Sequence, residues 1–185
     1  MRARIAGLGF SLVELMAVLA IASIALTVAA PNLRQLLRGF EIKTAVNDLA
    51  GAIALTRAQA IARNAEVKIV PNDPLRKDWS RGWTIFVDSD GDRQPGAGEE
   101  VIAVHAPLAH GVTVDFAFTS PAPPYYIAYN GAGRSRSDTS GASRFGTLSL
   151  FHGGQARRIK INMLGRSRVC DPARDSTCAG AQAPP

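Results

Sequence analysis

The sequence predicts an α+β protein, one long N-terminal helix followed by a head of short antiparallel strands. Three observations carry this. From Phe10 to Leu33 the chain is free of charge except for Glu14. Apolar residues then recur at three- and four-residue steps as far as Arg63. From Glu66 onward that period gives way to short β-branched and aromatic runs between Gly, Pro, Asn and Asp clusters.

The helix is read first. Leu33, Leu36, Leu37, Phe40, Val46, Leu49, Ile53, Ala60 and Ile61 form its apolar face, with Arg, Lys, Asp and Asn between them. Joined to the preceding apolar run, it makes one helix of roughly 80 Å at about 1.5 Å per residue. Pro31 removes a backbone donor and is expected to bend it, and Gly39 and Gly51 weaken it locally. Asn64 is a reasonable stop. Beyond Glu66, "VKIV", "GWTIFVD", "EVIAVHA", "VTVDFAF", "YYIAYN", "TLSLFHG" and "RRIKINML" suggest about seven strands, packed on the apolar face of the second half of the helix. The tail "CAGAQAPP" reads as frayed.

At 185 residues with 46% hydrophobic residues, the chain can hold one domain and an appendage. Its net charge of +6 is unevenly placed. Residues 131–178 hold nine Lys/Arg against Asp138, Asp171 and Asp175, so the basic character belongs to the C-terminal third. That distribution fits an anionic partner met by that end.

The opening run could be a secretory signal, since Arg2 and Arg4 precede an apolar stretch that ends in Val28-Ala29-Ala30. It could equally be a membrane helix: Phe10 to Ala30 is 21 residues, and about 20 span a bilayer. Glu14 separates the two readings, because a carboxylate in hydrocarbon costs a few kcal/mol and nothing in a signal peptide needs one. With Gly9 before Phe10, Glu14 at the fifth place after Gly9 and Pro31 at the twenty-second, the sequence resembles the type IV pilins and type II secretion pseudopilins. The resemblance implies a leader over residues 1–9, cut between Gly9 and Phe10 by a prepilin peptidase that then methylates the new amino terminus. It implies a pilin-type fold and partner pilins or pseudopilins met through the N-terminal helix. It also implies a partner for Glu14, the amino terminus of a neighbouring subunit, which makes the buried charge tolerable.

Arg2 and Arg4 are expected to hold the N-terminus in the cytoplasm, so that the head lies across the inner membrane in the periplasm. Cys170 and Cys178, eight positions apart in such a chain, read as one short disulfide loop. The expected organisation is a leader over 1–9, a transmembrane helix over 10–30, an amphipathic half-helix over 31–64, a β-rich head over 65–169 and a disulfide-clamped tail over 170–185. "IALTRAQAIARNAEVKI" followed by "WSRGWTIFVDSDGD" further resembles the GspH/FimT family of minor pilins and minor pseudopilins.

No catalytic set emerges. His105, His110 and His152 are scattered, and no nucleophile has a local signature, so neither an enzyme nor a cofactor is expected. Asp88, Asp90, Asp92 and Glu99 fall at positions one, three, five and twelve of a calcium loop, but Arg93 occupies the sixth, where glycine is needed. A hairpin turn on Asp-Gly is the simpler account. The sharper signal is Gly-Arg-Ser-Arg, present at 133–136 and again at 165–168. The second copy follows a strand on which Arg158 and Lys160 alternate. Two arginines two apart on an extended segment point the same way, and their planar forks suit phosphate oxygens.

A GRxR stretch near the C-terminus resembles the DNA-binding motif of FimT-type minor pilins that serve natural transformation. This implies DNA binding by Gly165, Arg166 and Arg168, with Arg158 and Lys160 in support; the earlier copy does not inherit the role. Few aromatics interleave with the arginines, so double-stranded DNA is the expected form. The alternative is a purely structural subunit, either a GspH-like minor pseudopilin of type II secretion or a pilus-priming minor pilin.

Overall fold

The computed structural model describes residues 11–120 and 122–183. Helix α1 spans Leu12–Arg63 and has Pro31 inside it. Seven runs of sequence become eight strands: β1 (Val67–Pro71), β2 (Trp83–Val87), β3 (Val101–His105), β4 (Thr113–Phe118), β5 (Ile127–Tyr129), β6 (Gly146–His152), β7 (Gln155–Ile161) and β8 (Ser167–Cys170). A short 3-10 turn, Trp79–Arg81, precedes β2. The α+β class holds. The additional strand, β8, is short, polar and at a sheet edge, which is why apolar alternation did not reveal it.

The chain divides into two compact units, one ending at Leu37 and one starting at Arg38. In the first, Leu12, Met16, Leu19, Ile24, Leu33 and Leu36 are all exposed. This part of α1 is long and apolar enough to cross a membrane.

The second unit holds the core. Ile42, Ala45, Val46, Leu49, Ile53 and Ala60 recur at helical spacing and are almost wholly buried. Phe40 and Ile61, expected on the same face, are exposed. The stripe covered by the head therefore runs from Ile42 to Ala60, a length of about 27 Å at the helical rise. Thr56, also on the buried side, returns its hydroxyl to the Ala52 carbonyl at 2.7 Å. The helix ends where Asn64 takes a positive φ of 50° and donates its N–H to the Ile61 carbonyl. This is the stop the sequence suggested.

Two four-stranded antiparallel sheets close over that stripe, one in the order β3-β2-β1-β5 and the other β4-β6-β7-β8. Val67, Ile69, Ile85 and Ile127 of the first share a core with Phe116, Leu148, Leu150, Ile159 and Ile161 of the second and with the helix. The far face of the first sheet carries a different arrangement. Lys68 on central β1 is fully buried. It pairs with Asp88, with Glu66 at 2.9 Å and with Asp138 at 3.0 Å. Asp138 also accepts from Arg93 at 2.6 Å and from the Tyr126 hydroxyl at 2.8 Å.

Burial by itself would raise the Asp138 pKa. The hydrogen bonds from Arg93, Lys68 and Tyr126 outweigh it and hold this carboxyl well below the usual range. A carboxylate depressed on folding adds stability above its unfolded pKa of about 4, and that stability is lost as pH falls toward the folded value. Chemical denaturation of the wild type should therefore show a midpoint that drops below about pH 4. In Asp138→Asn the drop should be smaller and the stability at pH 7 lower. Parallel pH profiles for the two proteins would contradict this network.

Candidate functional site

The site is built on the β7–β8 hairpin. Ile161 faces Ser167 and Lys160 faces Arg168 across it, with Thr147 of β6 opposite Lys160 on the other side. Thr147, Lys160 and Arg168 thus share one row on the face of the sheet turned away from the core. The hairpin turn is shaped by Asn162, whose side-chain oxygen accepts the N–H groups of Leu164 and Arg166, each at 3.0 Å. Gly165 completes it with a φ of 76°. A Cβ there would stand 2.7 Å from the Gly133 carbonyl oxygen and 2.9 Å from the Ser135 nitrogen. Only glycine fits so close to another backbone.

That neighbouring backbone is the other Gly-Arg-Ser-Arg. Its turn is constructed in the same way, with the Asn130 side-chain oxygen accepting from Ala132 and Arg134 and Gly133 at a φ of 68°. The repeated unit is thus Asn-x-x-Gly-Arg-Ser-Arg, at 130–136 and 162–168. The structure sets the two copies against each other. Tyr129 donates its hydroxyl to the Gly165 carbonyl at 3.0 Å, and Arg57 of α1 donates to the Gly133 carbonyl at 2.8 Å, which ties both turns to the rest of the head. The four-residue repeat was visible in the sequence; the asparagine three residues before each glycine was the missed signal.

The basic residues have unequal surroundings. Arg166 is exposed, and its side chain has no ion pair or hydrogen bond among the described residues. It lines two grooves, one of about 580 Å³ shared with Lys160 and Arg168, and one of about 420 Å³ shared with Arg57 and Tyr129. Arg168 is half exposed and meets Asp175 at 3.3 Å and the Thr177 hydroxyl at 3.0 Å. Lys160 donates to the Thr177 carbonyl at 3.1 Å.

Arg158 departs from the expectation that it supports ligand binding. It is buried, and its guanidinium donates to the carbonyls of Cys178 and Ala181. It faces Cys170 in the strand register, beneath the returning tail, so its charge is spent holding that tail. The tail is accordingly not frayed over its described part. The Cys170–Cys178 disulfide is formed, with Cα atoms 5.9 Å apart, and Asp171 pairs with Arg157 at 3.2 Å.

Glu14 lies exposed in the first turn of α1. Gly9 and Phe10, the expected cleavage junction, lie outside the described residues. Asp88, Asp90, Asp92 and Glu99 do come together, each with an oxygen within 4.8 Å of the others. They serve as turn acceptors: Asp88 takes the N–H of Gly91 at 2.7 Å, and Glu99 takes those of Ser89 and Gly96. The Lys68 ammonium supplies the positive charge at Asp88. His105 stacks on Trp83 at 4.0 Å and faces Asp48, while His152 bonds Glu41 at 2.7 Å.

A long apolar helix whose second half packs on a two-sheet antiparallel head defines a pilin-like protein. The model of one family, type II transport protein GspH, matches residues 45–165, and the chain belongs to that family. The fold is similar to that of the type IV minor pilin FimU of Pseudomonas aeruginosa (TM-score 0.56, 18% identity, 72% of this chain and 90% of that one). It is also similar to the minor pseudopilin EpsH of the Vibrio cholerae type 2 secretion system (TM-score 0.50, 17% identity, 71% of this chain and 98% of that one). No curated protein matches the sequence. The chain is thus a minor pilin or pseudopilin in fold and family, with an N-terminal helix suited to membrane anchoring.

If the disulfide and Arg158 together hold the tail down, Cys170→Ser with Cys178→Ser should release it. The cost should be about 2–3 kcal/mol or less, as for a short closed loop. Limited proteolysis followed by mass spectrometry should then find new cleavage within 171–183. An unchanged cleavage pattern would show that the bridge does not hold the tail.

Proposed function

We infer that this chain is a minor type IV pilin of the FimT kind, which binds extracellular DNA for uptake through Arg166 and Arg168. The observation that carries this reading is the exposed, unpaired Arg166 side chain at the tip of a rigid hairpin, with Arg168 and Lys160 beside it. Arginine forks held on a fixed strand can engage phosphate oxygens at little further cost in order. Phosphate contacts position a protein without reading bases, so binding is expected to be largely indifferent to sequence. In this reading a prepilin peptidase trims the chain at Gly9-Phe10. The N-terminal helix then waits in the inner membrane, head in the periplasm, until it joins a filament. The Asp175 pairing of Arg168 favours the alternative, a structural minor pseudopilin whose basic end is internally satisfied.

Salt dependence separates the two. Each phosphate contact releases condensed counterions and contributes about −0.9 to the slope of log affinity against log salt. Arg166→Gln with Arg168→Gln should weaken duplex binding and flatten that slope by up to about two units. Arg34→Gln with Arg38→Gln, the same charge change on the helix, should do neither. Asp175→Asn should strengthen binding several-fold by freeing Arg168. Equal weakening in both double mutants would assign the effect to net charge, and no binding by the wild type at low salt would leave the structural reading.

Assembly is tested apart from DNA. Glu14→Ala should leave leader cleavage intact yet deplete the protein from sheared filaments, because an unpaired acid in the span has no other use. Normal abundance of this variant in filaments would remove the pairing role of Glu14.

A further inference from the structure

The larger groove beside Arg166 contains an aromatic ring that sequence order hides. Phe145 lies immediately before β6, two residues from Thr147, and therefore on the same outer face as Lys160 and Arg168. It is 37% exposed and lines the 580 Å³ groove together with Thr147, Lys160, Arg166 and Arg168. The other rings of this region are already engaged. Phe116 stacks with Trp79, Phe118 and Tyr125, and the Arg144 guanidinium covers Tyr126 at 3.8 Å. Among the described residues Phe145 has no such partner, so its ring remains open to the groove. The volume lies in the range of about 300–1,000 Å³ that small-molecule sites occupy.

An open ring flanked by cations matches a ligand with a flat π face and a negative charge a short distance away. A nucleotide of single-stranded DNA has both. A duplex offers the phosphates, but its bases are stacked on each other and cannot reach the ring without opening. We propose that this groove is a nucleobase-stacking site: Phe145 receives an unpaired base while Lys160, Arg166 and Arg168 hold the adjoining phosphates. Single strands are then bound more tightly than duplex, contrary to the expectation drawn from the sparse aromatics of the sequence. This rests on the DNA reading of the same site and adds to it the form of DNA preferred. Asp175, which pairs with Arg168, is the acid that faces the incoming phosphate.

The full-length chain in non-ionic detergent is titrated into three labelled ligands of about 20 nucleotides, long enough to exceed one stacking site. They are an oligothymidylate, the same strand in duplex, and an abasic strand of equal length. The oligothymidylate should bind several-fold more tightly than either other ligand. Phe145→Ala should weaken it about tenfold, the loss of one stacked base, and leave duplex affinity unchanged within about twofold. Phe145→Trp should retain binding, and its emission should be quenched by the oligothymidylate and not by duplex; Trp79 and Trp83 are buried and give a constant background.

If Phe145→Ala leaves oligothymidylate binding intact while Arg166→Gln with Arg168→Gln abolishes it, stacking is overturned and the phosphate site stands. Equal binding of abasic and thymidine strands overturns it too. If none of the three ligands binds, the inference falls together with the DNA reading beneath it.

Discussion

The head depends on one shared surface, the stripe of α1 from Ile42 to Ala60. Neither four-stranded sheet has a complete core of its own: Val67, Ile69 and Ile85 on one side and Leu148, Leu150 and Ile159 on the other meet over the same helical residues. A helix that served only one sheet would leave the other's inner face wet, at about 25 cal/mol for each Å² of apolar area left uncovered. The helix is therefore both a segment long and apolar enough to cross a membrane and a core element, and its two halves follow different rules. Leu33, Leu36, Leu37 and Phe40 are exposed in the isolated chain, whereas Ile42, Val46, Leu49 and Ile53 are spent on the head. Of the helix's later large apolar side chains described, only Leu55 and Ile61 stay exposed.

With the sheets fixed by that stripe, the basic hairpin is positioned by backbone. Gly165 lies so close to Gly133 and Ser135 that no side chain fits between them, and Tyr129 reaches across from the first sheet to the Gly165 carbonyl. The two Asn-x-x-Gly-Arg turns brace each other, and each arginine leaves its turn from a backbone that cannot swing. Preorganisation of this sort lowers the ordering cost of binding, the cost that usually erodes the worth of surface charges.

How much of this was legible depended on the range of the signal. Helix, strand runs, Asn64 stop and disulfide all follow from local spacing or residue type, and each appears in the structure. The strand β8 did not follow, because "SRVC" is an edge strand with little to bury. The misassigned arginine is more instructive. Arg158 and Lys160 alternate on one strand and look equivalent, yet the tail returns over one and only borders the other. What separates them is where residues 178–181 land, a contact some twenty positions away that no period in the sequence encodes. Phe145 was missed for the same reason: its charged neighbours in the groove come from the β7–β8 hairpin, not from its own segment.

The tail also sets the character of any ligand site here. Asp175 lies against Arg168, so a phosphate approaching the hairpin meets one arginine already partly compensated. Binding of a phosphate would then exchange one carboxylate for one phosphate at Arg168 and make new charge contacts at Arg166 and Lys160. Exchange between exposed ion pairs releases little free energy, since such pairs are worth about 0–1 kcal/mol to begin with. On the proposed DNA reading, a site of this kind would hold DNA weakly per subunit. It suits a filament component, where the strand is captured through several weak contacts and given up again, better than it suits a protein meant to retain its ligand.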